Sequence, residues 1–173
     1  MRLKKNKIGI LGGSFDPAHR GHLAISKEAI KRFRLKRIIW AITKKNPFKK
    51  LSIVSLLARE KYCKKIIGKN NLIKVKYYED IIKSNKTIDL INYLKRNKKI
   101  EIYFLMGADN LITFHKWYKW KVISKKCNII VFDRHGYKKR SLNSVTFKML
   151  DNKKLKFIEF NKVNISSSQL RKI

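Results

Sequence analysis

The chain reads as α/β, a single-domain, Rossmann-like, doubly wound parallel sheet. Three observations predict it. Short apolar runs rich in β-formers recur along the chain, with segments of helically spaced apolar residues between them. The first run, Ile8-Gly9-Ile10-Leu11, leads at once into a glycine turn and then a helical pattern. The fourth, residues 99–106, is mostly apolar from Ile100 to Leu105, as a parallel strand buried on both faces should be. With 173 residues and a hydrophobic fraction of 44%, the chain suits one folded domain, residues 1–173, with a real core.

The turn after the first strand is Gly12-Gly13-Ser14-Phe15-Asp16-Pro17-Ala18-His19-Arg20-Gly21-His22. Gly12 and Gly13 are expected to let the backbone turn and leave room for a ligand. Asp16-Pro17 reads as a cap and first turn, or as a turn just before the helix. Ile25, Ala29 and Phe33 then give the helix its apolar face. His19 and His22 are three residues apart, so at a helix entry they share one face, beside unpaired N–H groups and the positive end of the helix dipole. That combination suits an anionic oxygen, above all phosphate. A zinc site is a poorer reading, because Cys63 and Cys127 are isolated. The Gly-x-Gly-x-x-Gly spacing of dinucleotide folds is absent. From these residues alone a structural turn with incidental histidines also stays open.

Gly-Gly-Ser-Phe-Asp-Pro-x-His-x-Gly-His resembles the signature of the HxGH nucleotidyltransferases, relatives of the class I aminoacyl-tRNA synthetases. Within that group it is most similar to the bacterial nicotinate-nucleotide adenylyltransferases. The resemblance implies that Gly12, Gly13, Ser14 and Phe15 meet ATP, and that His19 and His22 are catalytic.

Residues 37–43, from Arg37 to Thr43, form the expected second strand. The loop after it carries Pro47 and Lys49 where the family has a proline and a lysine, which implies a phosphate contact for Lys49. A solvated surface lysine is the competing reading. Ser52 to Ile67 has helical character, with Leu56, Leu57 and Ile67 on or near one side and Gly68 as a stop. Leu72 to Tyr78 alternates like a strand. Asn85 to Leu90 opens a helix with Ile88, Ile91 and Leu94 at core spacing and Thr87 as N-cap. This start is similar to the family's Tyr-Thr-x-Asp-Thr, of which Thr87 and Asp89 are kept, and the similarity implies that Thr87 meets the nicotinate carboxylate. A plain capping threonine is the alternative.

The fourth strand ends in Gly107-Ala108-Asp109-Asn110, and a carboxylate just past a central strand can accept bonds from ribose hydroxyls. The resemblance implies that role for Gly107 and Asp109 towards ATP. It also implies that Trp117, in Lys116-Trp117-Tyr118-Lys119, stacks on the pyridine ring with Tyr118 beside it. Ordinary core is the other reading of these aromatics. Cys127 to Asp133 is a fifth strand, His135 a loop residue, Ser141 to Leu150 a short helix or loop, and Leu155 to Phe160 a sixth strand. Ile165-Ser166-Ser167-Ser168-Gln169-Leu170-Arg171 puts hydroxyls at a helix start and a guanidinium one turn on. This is similar to the family's Ile-Ser-Ser-Thr-x-x-Arg, which implies that Ser166, Ser167 and Ser168 bind ATP and that Arg171, holding the ATP phosphates, is catalytic together with His19 and His22.

The formal net charge of +33 invites a nucleic-acid role. The lysines, however, are spread along the whole chain beside abundant Ile and Asn, so compositional bias is the favoured account and no specific nucleic acid is expected. No run of about eighteen apolar residues suggests a membrane span. Two isolated cysteines and the lack of an apolar leader point to a reducing, cytoplasmic setting. The expected function, carried by the resemblance, is transfer of AMP from ATP to nicotinate mononucleotide, giving nicotinate adenine dinucleotide and pyrophosphate in NAD biosynthesis. Mg²⁺ is expected to travel on the ATP phosphates, with no metal site in the protein. The alternatives are phosphopantetheine adenylyltransferase and a basic nucleic-acid-binding protein. The sequence leaves the oligomeric state open.

Overall fold

The computed structural model describes residues 5–44, 54–150 and 153–159. Lys49, Ser166, Ser167, Ser168 and Arg171 lie outside the described residues. In chain order the elements are β1 (Asn6–Gly13), α1 (Arg20–Phe33), β2 (Arg37–Ile42), α2 (Leu56–Ile67), β3 (Ile73–Tyr77), α3 (Glu79–Ile82), α4 (Thr87–Lys95), β4 (Ile100–Gly107), α5 (Ala108–Thr113), α6 (Trp120–Lys126), β5 (Asn128–Phe132), α7 (Lys138–Leu142), α8 (Val145–Met149) and β6 (Leu155–Ile158). A single 3₁₀ turn, Phe114–Lys116, joins α5 to the segment before α6. The six strands make one sheet in the order β3-β2-β1-β4-β5-β6, and every pairing is parallel. The order reverses between β1 and β4, so those two strands flank the switch point, where the loops leave towards opposite sides.

Side-chain alternation along the strands builds two cores, one on each face of the sheet. Ile8, Ile10, Ile39, Ile102, Phe104, Met106, Ile129 and Val131 pack on one face with residues of α4, α5 and α6. Leu11, Ile38, Trp40, Ile42, Leu105, Ile130 and Phe132 pack on the other with α1 and α2. Burial on both faces is why the strands read as apolar runs rather than as alternating patterns. β3 is an edge strand, and its exposed Lys74 and Lys76 account for the alternation seen there.

Three expectations are corrected. Helix α2 begins at Leu56, with Ser55 as N-cap accepting from Ala58 N–H, rather than near Ser52. That phase turns Arg59, Cys63 and Ile67 inward and leaves Leu57 62% exposed. In α4 the N-cap is Lys86, and Thr87 is the first helical residue. The entry is closed instead by Ser84, which accepts from Lys86 N–H at 3.1 Å and donates to Asp89 Oδ2 at 2.6 Å. Finally, Gly12 and Gly13 stay in the β1 ladder opposite Ala41 and Ile42. The chain turns after them, at Phe15, whose φ is 48°. Its ring lies buried and stacked on Trp40, and this packing holds a conformation that a non-glycine residue seldom takes. Among the described residues no helix is long and apolar enough to cross a membrane.

Candidate active site

The carboxyl ends of β1 and β4 open on a cleft of about 640 Å³. Its walls include Gly12, Gly13, Ser14, Phe15, His19 and His22 from the first turn. Gly107 and Asp109 come from the end of β4, Thr87 from the start of α4, and Trp117 and Tyr118 from the segment before α6. Every site residue expected from the sequence that falls within the described residues therefore meets in one place.

The histidines lock each other at the entry of α1. His19 is the N-cap, in extended backbone conformation, and its Nδ1 accepts from Gly21 N–H at 3.1 Å. His22, three residues on, accepts the His19 N–H on its own Nδ1 at 3.2 Å. This is a capping box in which imidazoles take the usual places of serine and glutamate. Because both Nδ1 atoms accept, each neutral ring carries its hydrogen on Nε2. The ring centroids are 3.8 Å apart. His22 is fixed from behind as well, since Trp40 Nε1–H donates to Ser26 Oγ at 2.9 Å and Ser26 donates to the His22 carbonyl at 2.7 Å. The first turn of a helix and two oriented N–H donors make a cradle for negative oxygen.

Space beside the glycines is open. A Cβ on Gly12 or Gly13 would meet nothing nearer than 3.6 Å, so the lack of a side chain leaves the main chain exposed to the cleft. Gly107 is different. A Cβ there would stand 2.5 Å from Asp109 Oδ1. Arg134 at the end of β5 holds that carboxylate through its other oxygen, Nη1 to Oδ2 at 2.6 Å. Asp109 Oδ1 is buried and has no hydrogen-bond partner among the described residues. A buried carboxylate oxygen left in that state is suited to accept from a ligand hydroxyl.

The far wall is aromatic. Trp117 packs edge-on against Phe104 and Phe114, with centroids 6.0 and 5.2 Å away. Tyr118 is half exposed, with Lys86 Nζ 4.3 Å above its ring. The wall thus offers ring surface and positive charge together, which suits an aromatic ligand carrying an anion.

The sequence reading missed four residues here. Arg134 and Asp133 follow β5 as Asp109 follows β4, and the rule that ligands gather beyond strand carboxyl ends would have drawn attention to them. Glu79 lines the cleft and takes the hydroxyl of Thr43 and the N–H of Lys44. Arg59 is 3% exposed, and its place in the i, i+4, i+8 row with Cys63 and Ile67 is the signal that could have shown it pointing inward. Among the described residues, no group of three or more His, Cys, Asp or Glu side chains is arranged to hold a metal ion.

Comparison with known proteins agrees with this architecture. Residues 10–173 match the family described as cytidylyltransferase-like. A protein of Pelagibacter ubique described as a probable nicotinate-nucleotide adenylyltransferase is 69% identical over 98% of this chain and 94% of its own length. One from Nitratiruptor with the same description is 36% identical over 95% of this chain and 87% of that protein. Among solved structures, the Plasmodium falciparum nicotinic acid mononucleotide adenylyltransferase complexed with NaAD superposes with a TM-score of 0.80 at 24% identity. That match covers 96% of this chain and 83% of the other, and at such identity it speaks to fold alone. Matched along nearly its full length by both the family and these relatives, the chain belongs to the cytidylyltransferase-like family, among the nicotinate-nucleotide adenylyltransferases.

Proposed function

We propose that this chain transfers the adenylyl group of ATP to nicotinate mononucleotide, releasing pyrophosphate and forming nicotinate adenine dinucleotide. The observation that carries the reading is the shared cleft. The imidazole pair at the entry of α1 faces the same space as Asp109 and the Trp117–Tyr118 wall. A phosphate cradle, a ribose acceptor and an aromatic platform in one cavity fit a dinucleotide better than either half alone. We take residues 1–173 as one catalytic unit working in the cytoplasm.

The acceptor's phosphate oxygen attacks the α-phosphorus in line, and the bond to the bridging oxygen of pyrophosphate breaks. No covalent enzyme intermediate is needed, so catalysis is positioning and charge stabilisation. His19 and His22 donate from Nε2 to the phosphoryl oxygens as charge develops there. The main chain of Gly12, Gly13, Ser14 and Phe15 lines the path of the phosphates, and the buried ring of Phe15 supports the turn. Asp109 Oδ1 accepts from the adenosine ribose, and Gly107 leaves room for that carboxylate. On the acceptor side Trp117 and Tyr118 take the pyridine ring, and Thr87 with the first N–H groups of α4 takes its carboxylate. Arg171, Lys49 and the serines 166–168 are assigned to the ATP phosphates on the family motif. Mg²⁺ would arrive as part of the ATP substrate, carried on its phosphates. No step here runs through it.

The test is incubation with ATP and, separately, nicotinate mononucleotide, nicotinamide mononucleotide and phosphopantetheine, with the products identified by mass. Nicotinate adenine dinucleotide as the main product supports the proposal. An adenylylated phosphopantetheine, or no dinucleotide, overturns it.

A further inference from the structure

Arg59 stands on the buried face of α2, 3% exposed, and makes no ion pair with a carboxylate among the described residues. Among the described residues its guanidinium donates to main-chain oxygen alone. Nη1 donates to the carbonyls of Ser14 at 2.6 Å and Thr43 at 2.9 Å. Nη2 donates to Lys44 at 3.3 Å, and Nε to Val54 at 3.1 Å. These carbonyls belong to the points where the chain leaves β1 and β2 and where it enters α2. The β1–β2 ladder reaches its last pair at Gly13 and Ile42, with Thr43 N–H donating to the Gly13 carbonyl at 3.0 Å. Beyond that pair the two strands part, and their carbonyls lose ladder partners. A planar fork of N–H donors is the side chain that can satisfy several such carbonyls at fixed angles.

Arg59 is not among the residues that line the cleft. It therefore reaches the chemistry only through the backbone it holds. Ser14 lies between the glycines and the strained Phe15, and Thr43 and Lys44 are gripped from the opposite side by Glu79, through the Thr43 hydroxyl and the Lys44 N–H. Guanidinium on one side and carboxylate on the other fix the parting of β1 and β2 like a clamp. Burying a charge without a counter-charge is costly unless its donors are satisfied, and here carbonyl dipoles do that work.

We infer that Arg59 is a positioning residue for adenylyl transfer: it sets the glycine turn at the geometry in which its main chain and the His19–His22 pair meet the reacting phosphate. The inference rests on the adenylyl-transfer reading above. Three proteins decide it: wild type, Arg59→Lys, which keeps charge and stem but not the fork, and Arg59→Ala. Steady-state constants are measured for both substrates, with and without added guanidinium ion, alongside amide hydrogen exchange. Arg59→Lys is expected to lose about ten- to a hundredfold in kcat while the KM for nicotinate mononucleotide stays within about threefold, since a loosened cradle harms the transition state more than acceptor binding. Faster exchange should be confined to the amides around Ser14, Thr43 and Lys44, and guanidinium should restore part of the activity of Arg59→Ala. If Arg59→Ala does not fold, Arg59→Lys decides alone. A kcat within about twofold of wild type in Arg59→Lys overturns the inference, and so does a loss accompanied by faster exchange throughout the sheet. Should the wild type make no dinucleotide, the functional reading fails, while the exchange pattern still reports whether Arg59 holds the turn.

Discussion

Replacing His22 separates its place in the helix cap from the catalytic role proposed for the same ring. Its Nδ1 closes the capping box by accepting from His19 N–H, and its other edge faces the cleft. Alanine removes both. Losing half of the cap should cost about 1 kcal/mol, with Ser26, the rest of α1 and Trp40 of β2 left in place. For a chain of this size that lowers the Tm by about 2–4 °C. Losing a donor to the developing phosphoryl charge should cost far more in rate, about a hundredfold or more in kcat, or roughly 3 kcal/mol. Glutamine is the informative partner. At this third helical position its carbonyl can reach back to the cap N–H, as in an ordinary capping box, yet it does not restore the imidazole. His22→Gln should therefore melt close to wild type while remaining as slow as His22→Ala. Thermal melts and steady-state kinetics on the three proteins give the answer. Alanine and glutamine variants with kcat within about threefold of wild type would refute the catalytic role of His22.

Gly107→Ala would push a methyl group to within 2.5 Å of Asp109 Oδ1, so the carboxylate must leave its bond with Arg134; the KM for ATP should rise by about tenfold with little change for the acceptor, read from paired saturation curves. Burial pushes the thiols of Cys63 and Cys127 up from 9.0 to about 12, so neither should react with a thiol reagent until the chain unfolds. The same shift ties stability to pH. The native state keeps both protons where the unfolded chain gives them up, so this contribution is complete below pH 9.0 and is lost as pH rises towards about 12. Urea melts should thus weaken more between about pH 8 and pH 10 in wild type than in Cys127→Ala. Nicotinate mononucleotide should be preferred over its amide by at least about tenfold in kcat/KM, because helix N–H groups favour a carboxylate over an amide, whereas Trp117→Ala should slow both acceptors alike.

The sheet was legible because its strands are buried on both faces, so Ile38 to Ile42 and Ile100 to Leu105 stand out as apolar runs whatever their neighbours do. The imidazole pair is legible for a different reason. His19 and His22 are related by local spacing, and three residues at a helix entry fix their relation before any tertiary contact forms. What escaped depends on contacts between distant segments. Arg59 reads as a surface arginine in sequence, and only the meeting of Ser14 with Thr43, 29 positions later by number, creates the carbonyls that it satisfies. Arg134 likewise gains its meaning from Asp109, which lies on another strand's exit. The turn itself was misplaced to the glycines because the left-handed residue is Phe15, held there by Trp40, and propensity alone would never choose it.

In the proposed reaction both substrates' phosphates meet in the one cleft and the adenylyl group passes directly between them. Isotope tracing from ATP distinguishes this from any other route. With ATP labelled at the α-phosphorus and nicotinate mononucleotide present, label is expected in nicotinate adenine dinucleotide, with one pyrophosphate released for each dinucleotide formed and no labelled product without the acceptor. Label appearing as free AMP without acceptor, or transfer of the γ-phosphorus in place of the α, would contradict this reaction.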